Sequence, residues 1–122
     1  MCFTLPAGWT MGKVENIKSG AKVELNDPAK KKSATIFWVK PEEYNSRVMQ
    51  TELNFKVGDD QKTEKLLDGK GVYYENAEKN GERRWFTALV QGESHAWHCT
   101  GGQPKTETGT ELAEVCKSMT PK

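Results

Sequence analysis

A chain of 122 residues has room for one domain, and at that size it buries roughly two-thirds of its surface on folding. Apolar residues make up 35% and charged residues 29%, so an economical core and a heavily charged surface follow. The formal charge of +1 lacks the surplus of Lys and Arg with which a nucleic-acid binder displaces counterions, and no apolar run approaches the roughly 18 residues of a membrane span.

Cys2 follows an initiator Met. Cleavage of a lipoprotein signal peptide leaves a cysteine at this place, so Cys2 is expected to carry a lipid anchor; the alternative is a free cytosolic thiol. Residues 1–8, with Phe3, Leu5 and Pro6, read as an extended lead-in to the anchor, and residues 9–122 as a single domain. Val23 and Leu25 alternate with polar neighbours, which predicts a strand over residues 22–26, and Asp27-Pro28 predicts a turn. The basic run Lys30, Lys31 and Lys32 falls on that turn, either solvated or laid against anionic lipid. Residues 34–39 (ATIFWV) are apolar on both faces, as in an interior strand covered from both sides.

Pro41 followed by Glu42 and Glu43 marks a helix start, with acids at the positive end of the helix dipole. Tyr44, Val48, Met49 and Leu53 then form the expected buried stripe. Residues 58–60 break the run. A meander follows, with strands over residues 61–67, 72–77, 84–91 and 94–99. Its turns fall at Asp68-Gly69, Asn80-Gly81 and Gly92-Glu93, the first two being pairs that tolerate positive φ. Residues 100–109 read as a polar loop, and residues 110–119 as a closing helix presenting Leu112, Val115, Cys116 and Met119 to the sheet. In the strand over 85–90, Phe86, Ala88 and Val90 line one face while Trp85 and Leu89 line the other. Both faces need cover. The expected fold is therefore α+β, an antiparallel sheet of about five or six strands with helices on both faces. The four tryptophans are expected mostly in the core, with Trp9 the most exposed.

Cys99 and Cys116 could close a loop of about 16 to 18 residues, worth on the order of 3 kcal/mol. Such a bond persists in an oxidising compartment such as the periplasm; a cytosolic protein would carry three unrelated thiols instead. Paired with Cys2 as the lipid site, the disulfide accounts for every cysteine. His95, His98 and Cys99 do not make a compact metal site. In a strand His95 and Cys99 stand about 13 Å apart, and His98 points to the opposite face. No metal or cofactor is expected. The Gly92-Glu93-Ser94-His95-Ala96 segment imitates a nucleophile elbow, but the elbow needs a strand–turn–helix in a larger parallel sheet, and a hairpin turn fits better. Neither Glu42/Glu43 nor Asp59/Asp60 is spaced for acid–base work. With no catalytic signature, a binding protein is expected rather than an enzyme.

If the meander runs strictly up and down, the loops at residues 58–60, 78–82 and 100–105 gather at one end of the sheet. They carry Asp59, Asp60, Glu78, Glu82 and Gln103, the candidate partner-binding rim, since function concentrates in loops on a rigid scaffold.

The sequence Phe3-x-x-Pro6-x-Gly8-Trp9, the strand over 34–39 followed by a helix, Gly71-x-Tyr73-Tyr74, the strand over 85–92 and the closing Lys117-Ser118-Met119 together resemble PsbP-like and DcrB-like domains. That resemblance implies an α/β/α sandwich and a non-catalytic binding domain, often an envelope lipoprotein. In size and anchoring the chain is also similar to Tsi-type immunity lipoproteins, which bacteria pair with type VI secreted muramidases. This implies a periplasmic protein whose polar loops block the substrate groove of a peptidoglycan hydrolase. A general envelope or assembly lipoprotein binding a small molecule or membrane complex is the alternative.

Overall fold

The computed structural model describes residues 1–29 and 31–121. Its elements are β1 (Thr10–Met11), β2 (Glu15–Ile17), β3 (Gly20–Asn26), β4 (Ser33–Val39), α1 (Tyr44–Lys56), β5 (Asp59–Leu66), β6 (Gly71–Ala77), β7 (Arg83–Gln91), β8 (Ala96–Pro104) and α2 (Glu111–Lys117). Among the described residues the fold is α+β: one antiparallel eight-stranded sheet in the order β1-β3-β4-β8-β7-β6-β5, with β2 also pairing β3, and two α-helices. Among the described residues no helix is long and apolar enough to cross a membrane.

The sheet has more strands than the five or six expected, because the outer edge of β3 is covered twice. Met11 pairs Leu25 at one end of β3, and Glu15–Ile17 folds back on its other end through the two-residue turn Lys18-Ser19. The β5–β8 meander forms in the expected order; Asp68 and Gly69 take the positive φ expected of their turn, at 55° and 92°, whereas Asn80 and Gly81 do not. The main difference lies in β8. Residues 100–104 (TGGQP) were expected in a loop, yet β8 continues through them, paired with β4 on one side and β7 on the other. Gly101 and Gly102 are there because the neighbouring strands β4 and β7 leave no room. A Cβ on Gly101 would stand 2.5 Å from the Ser33 carbonyl oxygen, and one on Gly102 would stand 2.7 Å from the Trp85 ring. Glycines that read as flexibility are a packing requirement of a central strand.

One core holds the molecule. Val23 and Leu25 of β3, Ile36 of β4, Tyr73 of β6, Phe86, Ala88 and Val90 of β7 and Trp97 and Cys99 of β8 meet Leu112, Val115 and Cys116 of α2 and Met119 beyond it. The four residues expected of the closing helix are all buried with no measurable exposure, Met119 lying two residues past its end. Trp9, expected to be the most exposed tryptophan, is 8% exposed and caps this core. Phe3 packs on its margin, and Cys2 and Thr120 exchange backbone hydrogen bonds of 2.9 and 2.8 Å. Residues 1–4 are thus docked beside the end of α2, with Thr4 N–H also donating to Ser118 Oγ at 2.8 Å, while Leu5, Ala7 and Gly8 are exposed. Lys31 lies at the surface, but Lys32 does not have the solvated place expected for the basic run. It is buried, and its Nζ donates to Glu111 Oε1 at 2.8 Å and to the Thr108 carbonyl at 2.6 Å, tying the start of α2 to β4. Lys30 lies outside the described residues.

α1 is docked differently. None of its residues is buried, and Met49 and Leu53 of the expected inward stripe are 65% and 62% exposed. Tyr44 and Val48 of that stripe are half-buried, and Arg47, Glu52 and Phe55 complete the contacting face in place of Met49 and Leu53. Phe55 meets the Tyr74 ring at 5.1 Å, and Asn76 Nδ2 donates to the Phe55 carbonyl at 2.9 Å. Polar side chains on β6 and β8 set the rotation of this helix, overriding the apolar stripe. His98, which bonds Arg47 of α1, and Cys99, which bonds Cys116 of α2, are successive residues of β8.

Candidate binding rim and groove

The antiparallel order places the start of β5, the β6–β7 connection at residues 78–82 and the segment after β8 at one end of the sheet, with the tight turns at residues 67–70 and 92–95 at the other. Four of the five candidate rim residues are found at the first end, in different states. Asp59 and Glu82 are exposed, with no side-chain hydrogen bond or ion pair among the described residues. Asp60 sits at a positive φ of 52° on a β-bulge. Its Oδ2 accepts from Arg84 Nη2 at 2.6 Å, and this bond and the guanidinium charge hold its carboxyl below the usual carboxylate range. Arg84 also reaches Glu75, at 3.1 Å, and Glu75 accepts from the Tyr73 hydroxyl at 2.7 Å. Burial, followed by this bond, raises the Tyr73 phenol and keeps it protonated.

Glu78 braces its own loop. Its carboxylate accepts from Trp85 Nε1 and from the Arg83 backbone N–H, each at 3.1 Å, and those bonds, Trp85 first, lower its pKa. Its carbonyl accepts from Lys105 Nζ. Gln103 does not belong to the rim. It lies within β8 at 2% exposure, its Nε2 donates to the Glu107 carbonyl at 3.3 Å, and its Oε1 is buried without a partner. The same β8 extension that absorbed the expected loop takes this residue inside.

Behind the rim, α1 stands off the sheet and leaves a groove of about 1080 Å³. Residues of α1, including Arg47, Gln50, Asn54 and Phe55, form one wall. Tyr74, Asn76, Trp85, Thr87, His98 and Thr100 form the floor, and Gly58, Glu78, Lys79 and Asn80 form the mouth. The groove therefore opens onto the rim. Arg47 Nη1 donates to His98 Nδ1 at 3.0 Å. A guanidinium can only donate, so the acceptor is the unprotonated ring nitrogen and Nε2 carries the hydrogen. Burial, and then the Arg47 charge, push the His98 pKa down to about 4, so the ring is neutral at pH 7. The Tyr74 hydroxyl donates to Glu52 Oε2 at 3.1 Å. Burial, assisted by that bond, moves its pKa up to about 12. Trp85 is 40% exposed.

No motif in the sequence marks this groove. Its signal was present in the alternation that put Trp85 on the face away from Phe86, and in the amides of residues 45–54, but no periodicity of apolar residues marks a helix docked by polar ones.

Cys99 and Cys116 are joined, with Cα atoms 5.3 Å apart, within the ordinary disulfide range. Cys2 is a free, exposed cysteine. It lies beside Thr120, just past the end of α2 where Lys117 reaches Glu64 near the β5–β6 turn; α2 begins near the rim end, at Glu111. Cys2 thus stands toward the tight-turn end of the molecule. Ser94 and His95 belong to the β7–β8 hairpin turn, closed by Gly92 N–H to the His95 carbonyl at 2.9 Å. Among the described residues no group of three or more His, Cys, Asp or Glu gathers as a metal site.

No protein-family model matches the chain, and no curated protein matches it.

Proposed function

We propose that this chain is a lipid-anchored periplasmic protein-binding domain, an inhibitor or immunity protein that blocks a type VI secreted muramidase. The observation that carries the reading is the polarity of the molecule. Asp59 and Asp60 at the start of β5 and Glu78 and Glu82 on the β6–β7 connection stand at one end of the sheet, while exposed Cys2 stands toward the other. A lipid on Cys2 would hold the tight-turn end at the membrane and present the acidic loops outward. The Cys99–Cys116 disulfide supports an oxidising compartment. We read the layers as the α/β/α sandwich of PsbP-like domains, supported by consecutive β8 residues meeting α1 and α2, since successive strand side chains point to opposite faces.

In this reading acidic side chains enter the sugar-binding cleft of the hydrolase and occupy positions its substrate would take. Asp60 and Glu78 are committed to Arg84 and Trp85 and shape the loops; Asp59 and Glu82 are free to contact the partner. The double variant Asp59→Lys/Glu82→Lys should therefore weaken inhibition of a type VI secreted muramidase at least tenfold, about 1.4 kcal/mol, without altering the melting temperature. Calorimetric titration of the enzyme into each protein measures this, and unchanged affinity in the double variant would remove the rim from the proposal. Mass spectrometry of the protein recovered from membranes tests acylation of Cys2 directly.

A further inference from the structure

The groove between α1 and the sheet has a lining that is specific in chemistry as well as shape. Of the aromatic side chains that line it, Trp85 is the most exposed, at 40%, and yet it is held on three sides. The ring lies on the Gly102 backbone, its Nε1 is tied to Glu78 at 3.1 Å, and the Arg83 guanidinium sits 5.3 Å from its centre. An aromatic plane already fixed in place loses little conformational freedom when something stacks on it. Around it stand side-chain amides. Gln50 and Asn54 are exposed along the α1 wall and make no side-chain hydrogen bond among the described residues. Asn76 spends its Nδ2 on α1 carbonyls and keeps its Oδ1 as an acceptor. His98, whose Nδ1 is taken by Arg47, keeps an Nε2–H donor. Each free amide offers a donor and an acceptor side by side, the complement of neighbouring hydroxyl groups on a sugar ring.

Charge narrows the class further. The ionised side chains lining the groove are Glu43, Arg47, Glu78 and Lys79, two of each sign, and Arg47 Nε stands 3.5 Å from Glu43 Oε1. The lining carries no net charge to attract an anion, and its amides would be left unpaired by a hydrocarbon chain. The volume of about 1080 Å³ is just above the roughly 300–1,000 Å³ typical of small-ligand sites, enough for more than one pyranose ring.

We propose that this groove is a binding site for a neutral oligosaccharide, with one sugar ring stacked on Trp85 and its hydroxyls bonded to Gln50, Asn54, Asn76 and His98. This site goes beyond the protein-partner reading and does not depend on it, because its contacts are made on α1, β6, β7 and β8.

The probes are N-acetylated chitotriose and maltotriose as neutral trisaccharides and trigalacturonate as a charged one, titrated into the intact chain and followed by tryptophan fluorescence and calorimetry. At least one neutral trisaccharide should bind saturably and more tightly than trigalacturonate. Trp85→Ala should weaken it at least tenfold, and Trp85→Phe, which keeps a stacking plane, should recover part of that loss. Because Trp85→Ala also removes packing over Gly102, Gln50→Ala and Asn54→Ala, on the exposed helix wall, serve as independent variants. Each should weaken binding at least threefold with an unchanged melting temperature. The proposal is overturned if neither neutral trisaccharide binds at concentrations up to about 10 mM. Tighter binding of trigalacturonate, or a neutral trisaccharide affinity indifferent to Gln50→Ala and Asn54→Ala, overturns it equally.

Discussion

At the scale of single residues, charged and polar side chains carry much of what makes this fold particular. Lys32 takes its ammonium to a side-chain exposure of 7%, where Glu111 and the Thr108 carbonyl meet it; a charge in that position is tolerable only when paired and hydrogen-bonded. Its neighbours in sequence suggested a solvated basic run, and nothing in the composition of three consecutive lysines tells which one turns inward. His98 is the other residue whose surroundings decide its state. Its pKa falls from near 6.5 to about 4 through burial and Arg47, whereas in the unfolded chain it returns to its ordinary value. Between those two pH values the unfolded state binds the extra proton and the native state resists it, so stability present above pH 6.5 is lost as the pH falls toward 4. The full difference corresponds to roughly 3 kcal/mol. Urea unfolding at a series of pH values should show this decline in the wild type and a shallower one in His98→Gln, which cannot take up the proton. Equal slopes would assign the acid sensitivity to the carboxylates.

At the scale of elements, α1 and β8 are the instructive pair. Sequence periodicity selects Tyr44, Val48, Met49 and Leu53 as the inward stripe of α1, but the helix is rotated so that Arg47, Glu52 and Phe55 meet the sheet. That face repeats correctly for a helix (residues 44, 47, 48, 51, 52 and 55), and it was hidden because half of it is polar. The consequence is measurable. Met49→Gln with Leu53→Gln should change stability by no more than about 0.5 kcal/mol, since both side chains are already in water. Phe55→Ala, by removing the Tyr74 contact, should cost about 2 kcal/mol. Denaturant midpoints of the two variants compare directly, and the opposite ranking would restore the apolar stripe as the packed face. β8 failed to be recognised past Cys99 for a related reason. Gly101, Gly102 and Pro104 are loop residues by propensity, and only the close approach of Ser33 and Trp85 makes glycine the residue that a central strand needs there. By contrast α2 was legible, because its Leu112, Val115 and Cys116, with Met119 just beyond it, are apolar and pack into the hydrophobic core.

For the whole molecule, the disulfide and the docked N-terminus close the core face. Cys99 lies in the middle of β8, flanked by Ile36 of β4 and Ala88 of β7, and its bond to Cys116 fixes the short helix α2 across a separation of 17 residues. The pair Cys99→Ala/Cys116→Ala should lose about 3 kcal/mol, read from urea unfolding of the oxidised wild type against the variant. The loss should fall mainly on α2 and the Cys2–Thr120 bridge in hydrogen exchange, because seven helical residues cannot hold themselves. The candidate site divides along the same line as the fold. The placement of Asp59, Asp60, Glu78 and Glu82 at one end of the sheet could be assigned from the turn signals of an antiparallel meander, since strand direction alternates regardless of packing, although Asp59 and Asp60, expected in a loop, open strand β5. The placement of Gln103, the braced geometry of Trp85 and the groove behind the rim could not. By itself the sequence determined the α+β class, the meander, the two helices and the core face of α2, all of which follow from local turn chemistry and apolar periodicity. Only the tertiary structure decided which face of α1 is inward, how far β8 runs and which rim acids remain free, because those depend on polar partners and close backbone approaches between segments far apart in the chain.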